Sequence, residues 1–372
     1  MYLARKVQRR RLTDSNRVTW LVLDDNYLPV EPISRYLRYL ENLERSPNTI
    51  HAYASHLKLF WEFLQNFHFD WLEVTLENLA SFIHWLRIPA DPRVTPREPV
   101  EAKRTEKTIN AILAAVVGFY EFQLRLGTIK GIDVYRTCFQ HNRKYKSFLH
   151  HLNRSNDVKT RLLKLKEPKT LTKTLNQSQI EQLIHACRHI RDKFLLCLLY
   201  ESGMRIGEVL GLRHEDIHPN GKNQIHVQRR NDNINDTRAK SHRSRVIHIS
   251  KELMTLYSNY LIEEYPLDVD SDYVFVNIWS GQVGSPMTYS AITSLFRQLE
   301  KKTGIDARPH LFRHTHATNL IRDGWDVAHV QKRLGHASVQ TTINTYTHLT
   351  DEDLEEEYRL FLQRSPVKLN AT

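Results

Sequence analysis

The sequence predicts a mainly α-helical chain with a small β-sheet, divided into a helical N-terminal part and an α+β C-terminal part. Three observations carry that prediction. Apolar side chains recur at three- and four-residue spacing between residues 46 and 120, short alternating runs appear past residue 220, and a strongly basic stretch separates the two patterns. The 372 residues suit two or three domains of about 150 residues each.

The chain opens on basic Arg9, Arg10 and Arg11, and Val18 to Leu23 reads as a short strand that Asn26 to Pro32 ends. Ser46 before Pro47 gives an N-cap with proline at the first helical position. From there Ile50, Tyr53, Ala54, Leu57, Phe60, Trp61 and Leu64 share one face. Leu76, Leu79, Phe82, Ile83 and Leu86 form a second helical set before the proline-containing loop Pro89 to Pro99. Ile109, Ile112, Leu113, Val116, Phe119 and Tyr120 form a third. The first half is therefore expected to be an all-helical bundle.

Between the halves, Arg143, Lys144, Lys146, Arg154, Lys159, Arg161, Lys164, Lys166 and Lys169 face only Asp157 and Glu167. This strip reads as a linker that neutralises DNA phosphates, the plainer alternative being a solvated connection. Near Leu171 a second domain begins. Asn176 and Gln179 form a capping box with Leu175 and Ile180 as staple, and the apolar run Phe194 to Tyr200 predicts a buried helix stopped by Gly203. Ile206, Val209 and Leu210 restart helical spacing, which sets Arg205 at the N-terminal edge of a helix, a place that suits an anion. Ile225 to Val227 and Val246 to Ile249 alternate as strands of a small sheet, with Lys240 on the turn between them.

The chemistry is concentrated near the C-terminus, in His310, Arg313, His336 and Tyr346. A tyrosine hydroxyl, with an unperturbed pKa of about 10, is a poor nucleophile at neutral pH unless neighbours favour its anion or accept its proton. Guanidinium grips two phosphate oxygens without risk of deprotonation, and imidazole donates a hydrogen bond or moves a proton near pH 7. Attack on a phosphodiester is the reaction these residue types suit.

These residues resemble the tyrosine recombinases, also called the phage integrase family. That family's motif is an arginine in a Gly-x-Arg-x-x-Glu/Asp-x-x-x-Leu setting, a hairpin lysine, His-x-x-Arg, a Gly-His and a following tyrosine. The chain has every part in order, with Phe312 where leucine is usual. The resemblance implies that Arg205 and Arg313 clamp the scissile phosphate, with Glu208 supporting the pocket. It further implies that His310 and His336 bind phosphate oxygens and assist proton movement, that Lys240 protonates the leaving 5′ oxygen, and that Tyr346 becomes linked to a 3′ phosphate. The pattern around Ser46 to Phe60 is similar to the family's core-binding domain.

The implied organisation is an N-terminal arm over 1–30, a helical core-binding domain over 31–140, a basic linker over 141–170, a catalytic domain over 171–350 and a C-terminal segment over 351–372. That last segment, acidic from Asp351 to Glu357 with Leu354, Tyr358, Phe361 and Leu362 as an apolar stripe, is expected to dock on a neighbouring protomer. The implied function is a site-specific recombinase acting without metal, ATP or other cofactor. The extension before Ser46 favours an integrase or transposase of a mobile element. A type IB topoisomerase-like activity and a catalytically inactive DNA-binding regulator are the alternatives. Expected partners are double-stranded DNA and further copies of the chain, as a dimer on one site and a tetramer in synapsis, with room for accessory recombination proteins.

Composition agrees without choosing the chemistry. With 53 Lys+Arg against 42 Asp+Glu, the net charge of +11 suits a polyanionic partner. No apolar run approaches the roughly 20 residues that cross a bilayer, and no signal-peptide pattern is seen, so a cytoplasmic protein without membrane attachment is expected. Cys138, Cys187 and Cys197 lack metal-ligand spacing and are expected to be reduced thiols. His314, His316 and His348 superficially suggest a metal-dependent rolling-circle nuclease. Thr315 stands where that family has a bulky apolar residue, and the two spaced arginines argue against it.

Overall fold

A computed structural model describes residues 6–11, 18–87, 103–130, 135–139, 157–161, 163–168, 173–219, 221–230, 233–235, 237, 244–279 and 281–335, with the backbone alone for 135–139 and 157–161. The chain divides into two compact units, Met1–Lys169 and Thr170–Thr372.

In the first unit, β1 (Lys6–Arg11) pairs antiparallel with β2 (Val18–Leu23), Lys6 facing Leu23 and Arg11 facing Val18. The expected strand is present, and its basic partner is an addition to the sequence reading. Helices α1 (Glu31–Asn42), α2 (Pro47–Asn66), α3 (Leu76–Arg87) and α4 (Glu106–Arg125) follow. Ser46 accepts from the Thr49 N–H with Pro47 behind it, as the N-cap pattern predicts, and Thr105 caps α4 through Thr108 in the same way. Helix α1 was not expected. Pro32 lies in its first turn, where a missing N–H costs nothing, and Ile33, Tyr36, Leu37 and Leu40 turn inward. The core gathers Phe60, Phe63, Phe82 and Phe119, all fully buried, with Phe60 edge-on to Phe82 at 5.0 Å.

The first half is thus helical but not wholly so, because β3 (Tyr135–Phe139) also pairs antiparallel with β4 (Asp157–Arg161). Part of the stretch expected to be a linker is consequently a strand. Residues beyond it fold back on α4: the Leu165 N–H donates to Asn110 Oδ1 at 2.9 Å, and Asn110 Nδ2 donates to the Leu165 carbonyl at 3.0 Å and to Glu167 at 2.8 Å. Leu163 and Leu165 pack against the helical core, while Lys164 and Lys166 are exposed.

The second unit holds α5 (Gln177–Ala186), α6 (Ile190–Ser202), the single turn α7 (Ile206–Val209), strands β5 (Ile217–His218), β6 (Gln224–Val227) and β7 (Arg245–His248), then α8 (Lys251–Glu263), α9 (Tyr289–Thr303), α10 (Pro309–Arg322) and α11 (Val327–Leu334). The sheet order is β5-β6-β7, antiparallel throughout, and its register aligns Ile217, Ile225 and Ile247 on one buried face. Asn176 and Gln179 close the capping box that opens α5. Helix α6 is apolar on nearly every side and packs against α5, α8 and α10. Phe312 is fully buried, edge-on to Phe296 at 5.9 Å, so the departure from leucine is accommodated in the core. Burial pushes the Cys187 thiol up to about 12, which keeps it protonated. No described helix is long and apolar enough to cross a membrane.

Candidate active site

Gly203 ends α6 with a left-handed φ of 62°, as the sequence predicts. A Cβ there would lie 2.5 Å from His316 Cδ2 and 2.9 Å from a Leu334 methyl, so the turn also needs the missing side chain. Arg205 follows in extended backbone and serves as N-cap of α7. Because α7 is only four residues long, its N-terminus adds little to anion binding, contrary to the expectation, and the attraction rests on the guanidinium itself. Arg205 keeps 26% of its side chain exposed.

Glu208 is the buried centre of the cluster. Its Oε1 accepts from Arg205 Nη1 at 3.2 Å, and its Oε2 accepts from the Arg205 backbone N–H at 3.0 Å. Arg245, at the start of β7, completes the cage with Nη1 to Oε1 at 3.1 Å and Nη2 to Oε2 at 2.7 Å. Burial alone would raise the Glu208 pKa, but the hydrogen bonds and charge of Arg245, then those of Arg205, hold it below the usual carboxylate range. Glu208 is ionised and pairs inside the protein with two arginines.

Arg313 comes from α10, one helical turn after His310. The residue is 2% exposed, and its guanidinium donates to the Gly203 carbonyl at 2.7 Å and the Leu334 carbonyl at 2.8 Å. Arg205 reaches the Gly335 carbonyl at 3.5 Å with both terminal nitrogens. The structure therefore brings together Arg205, Glu208, Arg313 and the C-terminal end of α11, which stops at Gly335 in the left-handed region. His310 is exposed in the first turn of α10, its ring 4.4 Å from that of His314. Lys240, His336 and Tyr346 lie outside the described residues, as do Arg143, Lys144 and Lys146. Lys159 and Arg161 are strand positions described by backbone alone.

Three participants have no place in this site from the sequence alone. Arg245 binds Glu208, and its Nε donates to the Arg333 carbonyl at 2.8 Å. Arg333 in turn donates to the Glu201 carbonyl at 2.9 Å, the His248 carbonyl at 3.1 Å and His316 Nε2 at 3.0 Å. His316, considered above only as a metal ligand, is an uncharged acceptor: burial, then Arg333 and Arg313, lower its pKa to about 3. The described residues hold no cluster of three or more metal-ligating side chains.

A buried carboxylate set between two arginines, with a third arginine from a His-x-x-Arg helix tied to the same glycine turn, is a cationic site suited to holding a phosphodiester. The fold and this site define a two-unit enzyme of the tyrosine recombinase class. The Phage integrase family model matches residues 173–353, and the family's N-terminal SAM-like domain matches residues 33–127. The chain belongs to the phage integrase family. It is 45% identical over 363 residues to transposase A from transposon Tn554 of Staphylococcus aureus, spanning 98% of this chain and 99% of that protein. It is 28% identical over 265 residues to the tyrosine recombinase XerD of Listeria monocytogenes, spanning 67% and 82% of the two chains. The fold matches the Tn1549 transposon integrase in complex with a circular intermediate DNA, with a TM-score of 0.59, 18% identity and coverage of 89% and 98%.

Proposed function

We propose that this recombinase serves a mobile element as its transposase, cutting and rejoining DNA strands through a 3′-phosphotyrosyl intermediate on Tyr346. The observation that carries the reading is the convergence of Arg205 and Arg313 on the turn at Gly203 and the end of α11, immediately before His336. The relative that matches nearly the whole chain, named a transposase, supports the element-borne role.

In this mechanism negative charge grows on the phosphate oxygens as Tyr346 attacks, and fixed guanidiniums stabilise the transition state more than the ground state. Arg205 and Arg313 supply that charge, His310 and His336 supply hydrogen bonds and proton movement, and Lys240 protonates the leaving 5′ oxygen. The phosphotyrosyl ester retains the bond energy, so a 5′ hydroxyl of another strand attacks it and restores the backbone. Glu208 fixes the direction of Arg205. Lys164 and Lys166, exposed beside the inward-packed Leu163 and Leu165, neutralise backbone phosphates in this reading together with the rest of the basic strip. Self-association as a dimer on one site and a tetramer in synapsis, with the segment after Thr350 docking between protomers, completes the proposal, as does action in the cytoplasm.

The test is incubation of the purified protein with supercoiled or nicked DNA carrying the element's ends, followed by a denaturing gel beside Tyr346→Phe. A covalent adduct absent from the variant is expected, and strand exchange between two sites separates recombination from simple relaxation. An adduct that persists in Tyr346→Phe overturns the assignment.

A further inference from the structure

Arg245 stands outside the residues given a catalytic role above, and its geometry shows why it matters. Its side chain is 7% exposed, and every guanidinium nitrogen is bonded to protein: Nε to the Arg333 carbonyl at 2.8 Å, Nη1 to Glu208 Oε1 at 3.1 Å and Nη2 to Glu208 Oε2 at 2.7 Å. These bonds tie the guanidinium to Glu208 and to the last turn of α11. Its action must pass through the groups it binds.

We propose that Arg245 is a positioning residue for strand cleavage, which saturates Glu208 so that Arg205 is not drawn further onto that carboxylate, and which seats the end of α11 against the same cluster. The Glu208 side chain is fully buried, and an ionised carboxylate in that setting needs strong partners. With Arg245 in place, Arg205 gives Glu208 only one side-chain hydrogen bond, at 3.2 Å, against the two-pronged contact from Arg245. Without Arg245, the cation that already contacts Glu208 among the described residues is Arg205, and turning it further onto the carboxylate withdraws it from the phosphate. The second half of the role is visible at Gly335, the residue before His336. A Cβ on Gly335 would lie 2.9 Å from Arg245 Nη1 and 3.2 Å from its Cζ, so the guanidinium lies against this backbone turn. One side chain therefore joins α7, β7 and the end of α11.

The inference rests on the reading of Arg205 as a phosphate clamp, and the experiment separates the two. Single-turnover adduct formation on DNA carrying the element's joined ends is measured for the full-length wild type, Arg205→Ala, Arg245→Gln and the double variant Glu208→Gln/Arg245→Gln, with DNA affinity and thermal melting followed alongside. Arg245→Gln is expected to slow cleavage by about 100-fold while DNA affinity stays within about twofold. Neutralising Glu208 in the double variant removes the pull on Arg205, so it should recover about tenfold, which a merely structural Arg245 would not allow. Should Arg245→Gln fail to melt cooperatively, Arg245→Lys, which keeps the charge but not the two-pronged contact, replaces it under the same criteria. Wild-type cleavage by the folded Arg245 variant, or a double variant no faster than the single one, overturns the inference while leaving the clamp intact. Wild-type cleavage by Arg205→Ala overturns the clamp, and the inference with it.

Discussion

The Arg313 guanidinium donates to the Gly203 carbonyl at 2.7 Å and so joins two motifs 110 residues apart in sequence. The contact makes Arg313 part of the fold as well as of the proposed phosphate site. Lysine lacks the planar fork that reaches both the Gly203 and Leu334 carbonyls. Arg313→Lys should therefore cost about 1–3 kcal/mol of stability by chemical denaturation, for a buried carbonyl left unsatisfied. Adduct formation should fall by about 100-fold in the same variant.

Gly203 should tolerate no side chain. Gly203→Ala places a Cβ at positive φ and against the His316 ring, so a loss of about 2 kcal/mol or more is expected in the same denaturation measurement. A variant as stable as wild type would mean that α6 and α11 are not held as closely as described.

The pH dependence has a definite sign. Burial holds His316 neutral in the folded chain, with its pKa lowered from 6.5 to about 3. The unfolded chain binds a proton on this residue once pH falls below the unfolded value, while the folded chain does not. Its contribution is therefore complete above pH 6.5 and is lost progressively between 6.5 and about 3. Within that window His316 accounts for up to about 1.4 kcal/mol per pH unit. His316→Gln should flatten the stability profile by about one proton, and an unchanged slope would show that His316 is protonated when folded.

Lys164 and Lys166 are exposed beside inward-turned leucines, so their removal should leave the fold intact. In Lys164→Ala/Lys166→Ala the logarithmic salt dependence of DNA affinity should fall by about 1.8, near 0.9 per lost phosphate contact. Fluorescence anisotropy across a salt series reads this directly, and an unchanged slope removes the two lysines from the interface.

Local signals were legible wherever the physics is local. The Ser46 cap, the Asn176 capping box, the Gly203 stop and the alternation in β6 and β7 depend on neighbours within a few residues, and all are present. Helix α1 carried the same kind of signal in Ile33, Tyr36, Leu37 and Leu40. In sequence Pro32 reads as the end of the preceding strand, whereas proline is equally at home in the first turn of a helix. Pairing is less legible: β1 and β4 are basic strands whose partners define them, and charge pattern alone reads as arm or linker. The site divides along the same line. Arg205, Glu208, His310 and Arg313 fall in the motifs that carry the resemblance to the tyrosine recombinases. Arg245 and Arg333 act through carboxylate and carbonyl partners distant in sequence, which no spacing announces.

The cage around Glu208 sets two guanidiniums against one carboxylate, so the cluster holds one positive charge more than its own partners cancel. Folding brings these like charges together, and the mutual repulsion of Arg205 and Arg245 is relieved only in part. In the proposed reaction an arriving phosphate meets an unfinished neutralisation: the anion would complete a balance that these three side chains leave open.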